Sequence, residues 1–86
     1  NSAEHLYEAD IYKIYPNPAR DWIVVEGRNI RSIEAIDLCG RIVLPKMTAS
    51  SFKTVVDISS LIHGLYFIRI NTPEQSFVQK FIHNKN

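Results

Sequence analysis

The stretch DISSLIHGLY, residues 57–66, decides how this chain folds. It is too short and too polar for a helix and too broken for a strand. It lies between two runs of strand-forming residues, FKTVV (52–56) and LYFIRI (65–70). A chain that leaves one β-sheet for another must cross about 10 Å, and its backbone groups lose their ladder partners during the crossing. The order of residues suits that crossing. Asp57 or Ser59 supplies an oxygen acceptor for backbone N–H groups and starts one helical turn. Ile58 and Leu61 turn inward and close one end of a core. Gly64 supplies the left-handed residue that stops the turn. Tyr66 then enters the next strand with its ring buried and its hydroxyl donating to backbone just upstream.

Working outward, β-favouring residues come in seven short runs about ten residues apart: 11–15, 21–27, 30–37, 41–45, 52–57, 65–71 and 76–82. Such spacing predicts an all-β chain. Residues 19–27, ARDWIVVEG, have some helical spacing, but the Ile-Val-Val centre favours a strand. Tyr66, Ile68 and Ile70 alternate with Leu65, Phe67 and Arg69, and the first set is assigned to the core. Trp22 and Phe67 are left over to cover a rim or form a partner surface. A glycine followed two residues later by a tyrosine at the start of a late strand is the pattern of a tyrosine corner. The seven runs are expected to form an all-β sandwich or barrel, and the corner is of the kind that immunoglobulin-like sandwiches carry.

The punctuation supports this. In DLCGR (37–41), Asp37 suits the first position of a type I turn and Gly40 the left-handed residue after it, which gives a hairpin with a glycine bulge and Cys39 at its tip. In YPNPA (15–19), Pro16 and Pro18 each remove a ladder donor and Asn17 favours a turn, so the first strand ends there. Gly27 and Asn29 mark a second corner. Residues 45–51, PKMTASS, read as a loop, and TPE (72–74) as another turn.

Composition narrows the function classes. Eighty-six residues make at most one domain. Residues 1–10 read as a polar leader or linker, followed by the domain at 11–86. With no initial Met and no basic-then-apolar pattern, the chain is expected to be a fragment or processed product. The net charge of +1 gives no electrostatic case for nucleic acid, and the basic residues form no run. No apolar run approaches the ~20 residues that span a bilayer. Cys39 stands alone in these 86 residues and reads as a small residue tolerated in a turn, with a disulfide between two copies as the alternative. His5, His63 and His83 lack ligand spacing and read as surface histidines. Asp57, Ser59 and His63 are close in sequence, but turn architecture explains them better than a catalytic triad does. No cofactor is implied.

Four segments together resemble the type A C-terminal sorting domain of the type IX (Por) secretion system: YPNPA (15–19), IDLCGRIV (36–43), DISSLIHGLY (57–66) and QKFI (79–82). The matching positions are Pro16, Asn17, Pro18, Asp37, Gly40, Arg41, Asp57, Ser59, Leu61, Gly64, Tyr66 and Lys80, in family order across residues 11–83. Members often carry a glycine before the last strand, where this chain has TPEQS, and end sooner than its HNKN; Cys39 is not a family landmark. The resemblance implies a seven-stranded immunoglobulin-like antiparallel β-sandwich, and a non-enzymatic signal that directs its parent protein from the periplasm across the outer membrane to the cell surface or medium. It implies as partners the translocon, outer-membrane shuttle proteins and a sortase-like cysteine peptidase that removes the domain and joins the cargo to anionic lipopolysaccharide.

Recognition is expected at the last strand and tail, residues 77–86, through Lys80, Phe81, Ile82, His83 and Lys85, because a terminal edge strand offers unpaired N–H and C=O groups. Arg41 at the hairpin tip is a second candidate contact. The rival readings are a retained component of the secretion machinery that binds lipopolysaccharide or the peptidase, and an adhesive or carbohydrate-binding sandwich using Trp22.

Overall fold

The computed structural model describes residues 12–49 and 52–84. Seven strands form, and no helix is present among the described residues: β1 (Lys13–Tyr15), β2 (Trp22–Glu26), β3 (Ser32–Ile36), β4 (Ile42–Thr48), β5 (Lys53–Asp57), β6 (Gly64–Asn71) and β7 (Ser76–His83). They make two antiparallel sheets, ordered β1-β2-β5 and β4-β3-β6-β7. The expected leader at 1–10 and the start of the first strand at residue 11 lie outside the described residues, as do residues 50–51 and Lys85.

Period-two alternation supplies the core. Ile23, Val25 and Val56 from the three-stranded sheet join Ile33, Ile68 and Phe81 from the four-stranded one in a single buried cluster. Branched side chains suit this pleated interior, and each fully buried one contributes roughly 1.5–3 kcal/mol. Tyr66, Ile68 and Ile70 are buried as expected. Among the described residues no helix is long and apolar enough to cross a membrane.

The 57–66 segment does cross between sheets, from β5 to β6. Ile58 is fully buried and Leu61 nearly so, plugging the core. The Tyr66 hydroxyl donates to the Ile62 carbonyl four residues upstream. Two details differ from expectation. The turn is a β-turn, closed by Leu61 N–H to the Ile58 carbonyl at 3.0 Å, and not a helical turn. Gly64 has φ of 152°, a glycine-favouring value, but it opens β6 instead of ending a turn.

The 45–51 loop is a further correction. Residues 45–48 belong to β4, with Met47 opposite Ile33 and Thr48 opposite Ser32. The ladder tolerates Pro45 because β4 is an edge strand carrying one extra residue between its pairs at Leu44 and Met47. The Asp37–Arg41 hairpin forms as predicted. Gly40 has φ of 86°, its N–H donates to the Asp37 carbonyl, and Asp37 N–H donates to the Arg41 carbonyl.

Register fixes which segments share an end of the molecule. Ile36 pairs with Phe67 and Ile42, and Gly64 pairs with His83. Trp22 pairs with Asp57, from which the chain leads directly to Gly64. These positions define one pole, and β7 finishes there. Tyr12 lies at the opposite pole, its ring 4.9 Å from that of Phe77.

Candidate recognition surface

The motif pole is built by backbone bonds from segments far apart in sequence. After β1 the chain turns through Pro16 and Pro18, both preceded by cis peptide bonds, and comes alongside the end of β7. There Ala19 bridges His83 in parallel. Ala19 N–H donates to the Ile82 carbonyl and Asn84 N–H to the Ala19 carbonyl, each at 2.7 Å. The Asn17 side-chain oxygen accepts the Ile82 N–H at 3.0 Å. The two prolines thus leave a short Asn-Pro-Ala segment to cap the last residues of the terminal strand. Proline suits this place because the segment is too short to need a full ladder.

His83 locks the cap to the crossover. Its ring is 1% exposed, with Nε2 3.0 Å from the Leu61 carbonyl and Nδ1 3.3 Å from the Ala19 carbonyl. A ring N–H donates to the carbonyl it faces, and the contact to Leu61 is the shorter of the two. Phe81, next inward, is fully buried with its ring 5.7 Å from that of Tyr66. The expectation that Phe81 and His83 face a partner is therefore corrected, as is the surface reading of His83. Along an antiparallel strand alternate residues share a face, and both belong to the inner set. Lys80 and Ile82 do face solvent, on the outer face of the four-stranded sheet.

At the hairpin tip one Asp37 carboxylate oxygen accepts the Cys39 and Arg41 N–H groups, and the other accepts Arg41 Nε at 3.0 Å. The Arg41 N–H, then its guanidinium and the Cys39 N–H, hold the Asp37 carboxyl below the usual carboxylate range. Arg41 is exposed but engaged in shaping its own turn. The Cys39 thiol is free and exposed. Asp57 plays a matching part at the crossover. It accepts the Ser59 hydroxyl at 2.6 Å and N–H at 2.9 Å, and these bonds lower its pKa. Asp57 and Ser59 are a turn cap, and His63 is exposed beside them.

The outer face of the three-stranded sheet carries Trp22, 48% exposed, near Tyr15 and Val55. The Tyr15 hydroxyl donates to Glu26 at 2.8 Å, and Lys53 lies 3.6 Å from the same carboxylate. That bond, helped by the lysine charge, lowers the Glu26 pKa. The same bond raises the pKa of Tyr15, against the lysine charge. At the opposite pole an open cleft of about 280 Å³ lies over Tyr12 and Phe77, between Arg28 and the 72–75 turn. No cluster of three His, Cys, Asp or Glu side chains assembles among the described residues.

Every segment that carried the sequence resemblance ends at the motif pole, and a model of secretion-system C-terminal sorting domains matches residues 13–84. The chain belongs to that family. It carries a type IX secretion sorting signal, and such a signal implies a secreted or cell-surface cargo. No curated protein and no solved structure matches the chain. Within the sorting domain, Pro16, Asn17, Pro18, Ala19, Leu61, Tyr66 and His83 lock the two sheets together at that pole. Asp37, Gly40 and Arg41 shape the neighbouring hairpin. Sequence reasoning missed the inward role of His83. The signal was present, since His83 lies two residues beyond Phe81 on the same strand face. It was masked by Val78 and Ile82, which make the other face equally apolar.

Proposed function

We propose that the sorting domain acts as a folded, non-catalytic address that the type IX translocon and its outer-membrane shuttle proteins read at the motif pole. The observation that carries this reading is the meeting of four sequence-distant segments, 15–19, 36–43, 57–66 and 79–82, at the end where β7 finishes. Tyr12, through which the chain enters the domain, is at the other pole. A docked motif pole therefore leaves the upstream junction open to a sortase-like cysteine peptidase, which cuts there and transfers the cargo to anionic lipopolysaccharide. Strand order supports an immunoglobulin-like sandwich in which the fourth strand has left the sheet of the first two and joined that of the third.

The test is fusion of residues 1–86 to a periplasmic reporter in a host with the type IX machinery. The reporter is expected outside the cell, shortened by removal of the domain in mass spectra, and held in the periplasm when the translocon is deleted. A reporter that stays periplasmic in the competent host refutes the reading. A second reading, sugar binding on the outer face of the three-stranded sheet, is favoured by the exposure of Trp22 beside Tyr15. Glycan binding lost in Trp22→Ala, with export intact, would select it.

A further inference from the structure

The terminal strand has two halves with different edges. β7 is the edge of its sheet, paired on one side with β6 through an unbroken register from Gly64↔His83 to Asn71↔Ser76. Ile82 shows which way the backbone groups alternate. Its N–H goes to Asn17 and its carbonyl receives Ala19, so both point away from β6. In an antiparallel ladder, residues of one parity exchange bonds with the neighbour and those of the other parity point outward. With no register shift in this pair, Lys80, Val78 and Ser76 also direct N–H and C=O outward. The Asn-Pro-Ala cap covers only Ile82 to Asn84. Among the described residues no backbone bond from another segment reaches the outward groups of Val78 or Lys80.

We infer that Ser76–Lys80 of β7 is a strand-addition window for an extended protein segment that places a carboxylate opposite Lys80 and an apolar side chain opposite Val78. This deepens the sorting reading and rests on it. An added strand completes the unpaired ladder, and its side chains opposite Val78 and Lys80 lie on the same outer face as theirs. That face sets the chemistry. Val78 is 57% exposed. On the neighbouring strand Arg69 is already paired, its Nη1 3.0 Å from Glu34, whereas Lys80 has no carboxylate within ion-pair distance among the described residues. Phe67, directly opposite Lys80 on β6, offers an apolar wall behind the pair. Directly opposed unlike charges stabilise a sheet and like charges oppose it. The cap at Ile82 and the turn at 72–75 bound the window, so the added strand is short and its register fixed.

Two measurements test this. In the isolated 86-residue chain, amide hydrogen exchange should show Val78 and Lys80 exchanging about 100-fold or more faster than Gln79 and Phe81, which bond to β6. Protection of Val78 and Lys80 in dilute chain means that the chain itself fills the window. Protection that grows with concentration means that a second copy does. Either result overturns the inference. In the reporter fusion, Val78→Pro and Lys80→Glu should each lower export about fivefold or more with an unchanged far-UV spectrum, since a proline is tolerated where no ladder bond is made. Lys80→Arg should export normally. Lys80→Glu alone decides if Val78→Pro fails to fold. Normal export of Lys80→Glu overturns the window while the sorting reading stands. Failure of the wild-type fusion sinks the sorting reading, and the window with it.

Discussion

Replacing His83 by alanine tests whether the end of β7 is a structural clasp or a surface for partners. The ring is 1% exposed and faces the Leu61 and Ala19 carbonyls at 3.0 and 3.3 Å. His83→Ala removes a hydrogen bond whose acceptor stays buried, which costs about 1–3 kcal/mol. It also leaves a void of side-chain size, and the loss of a comparable buried side chain costs about 2–5 kcal/mol when the site cannot collapse. Water that enters the void returns part of both terms, so a net loss of about 3 kcal/mol is expected. A domain of this size has a total stability of about 4–13 kcal/mol. At 4–8 °C per kcal/mol, Tm should fall by about 12–24 °C. Circular dichroism melts of wild type, His83→Ala and Ile82→Ala make the measurement. Ile82 is adjacent but 44% exposed on the outer face, so its truncation should cost under about 1 kcal/mol. If His83→Ala melts within about 3 °C of wild type, or no lower than Ile82→Ala, the clasp is wrong.

Tyr66→Phe should lose only about 0.5–1.5 kcal/mol in urea unfolding, because the released Ile62 carbonyl lies at an exposed corner that water reaches. Gly40→Ala should cost about 1–2 kcal/mol from backbone strain alone. The residue has φ of 86° and an added Cβ would meet nothing within 4 Å, so no loss of stability would refute a left-handed requirement. Asp37 and Asp57 have lowered pKa values, so their bonds stabilise the fold above the ordinary carboxylate value of about 4 and that contribution disappears as pH falls through the lower folded values. The urea midpoint of wild type should therefore drop more between pH 6 and pH 3 than that of the Asp37→Asn, Asp57→Asn double variant, and equal drops would count against the assignment.

Much of the fold was legible because local chemistry carried it. Asp37 and Gly40 specify their hairpin within five residues, and the Ile68–Ile70 alternation specifies a strand face without help from elsewhere. The loop expected at 45–51 failed for the opposite reason. Proline and small polar residues lower strand propensity, but β3 recruits residues 45–48 into an edge ladder that absorbs the misfit with an extra residue. The terminal strand was legible in position, but its buried side was not. Phe77, Gln79, Phe81 and His83 lie on one side and Val78, Lys80 and Ile82 on the other, and each set carries apolar residues.

The sequence by itself determined that this chain is a run of short strands joined by turns whose caps lie within a few residues of what they cap, and its motifs placed it among sorting domains. Only the tertiary structure decided which side of β7 is buried, that the Pro-Asn-Pro turn seals the end of that strand, and that the outward backbone groups of Val78 and Lys80 meet no backbone partner among the described residues. Those outcomes depend on contacts between residues more than sixty positions apart, such as Asn17 with Ile82 and Ala19 with His83. Side-chain periodicity gives two faces and two edges for any strand; the neighbours that arrive from the rest of the chain choose between them.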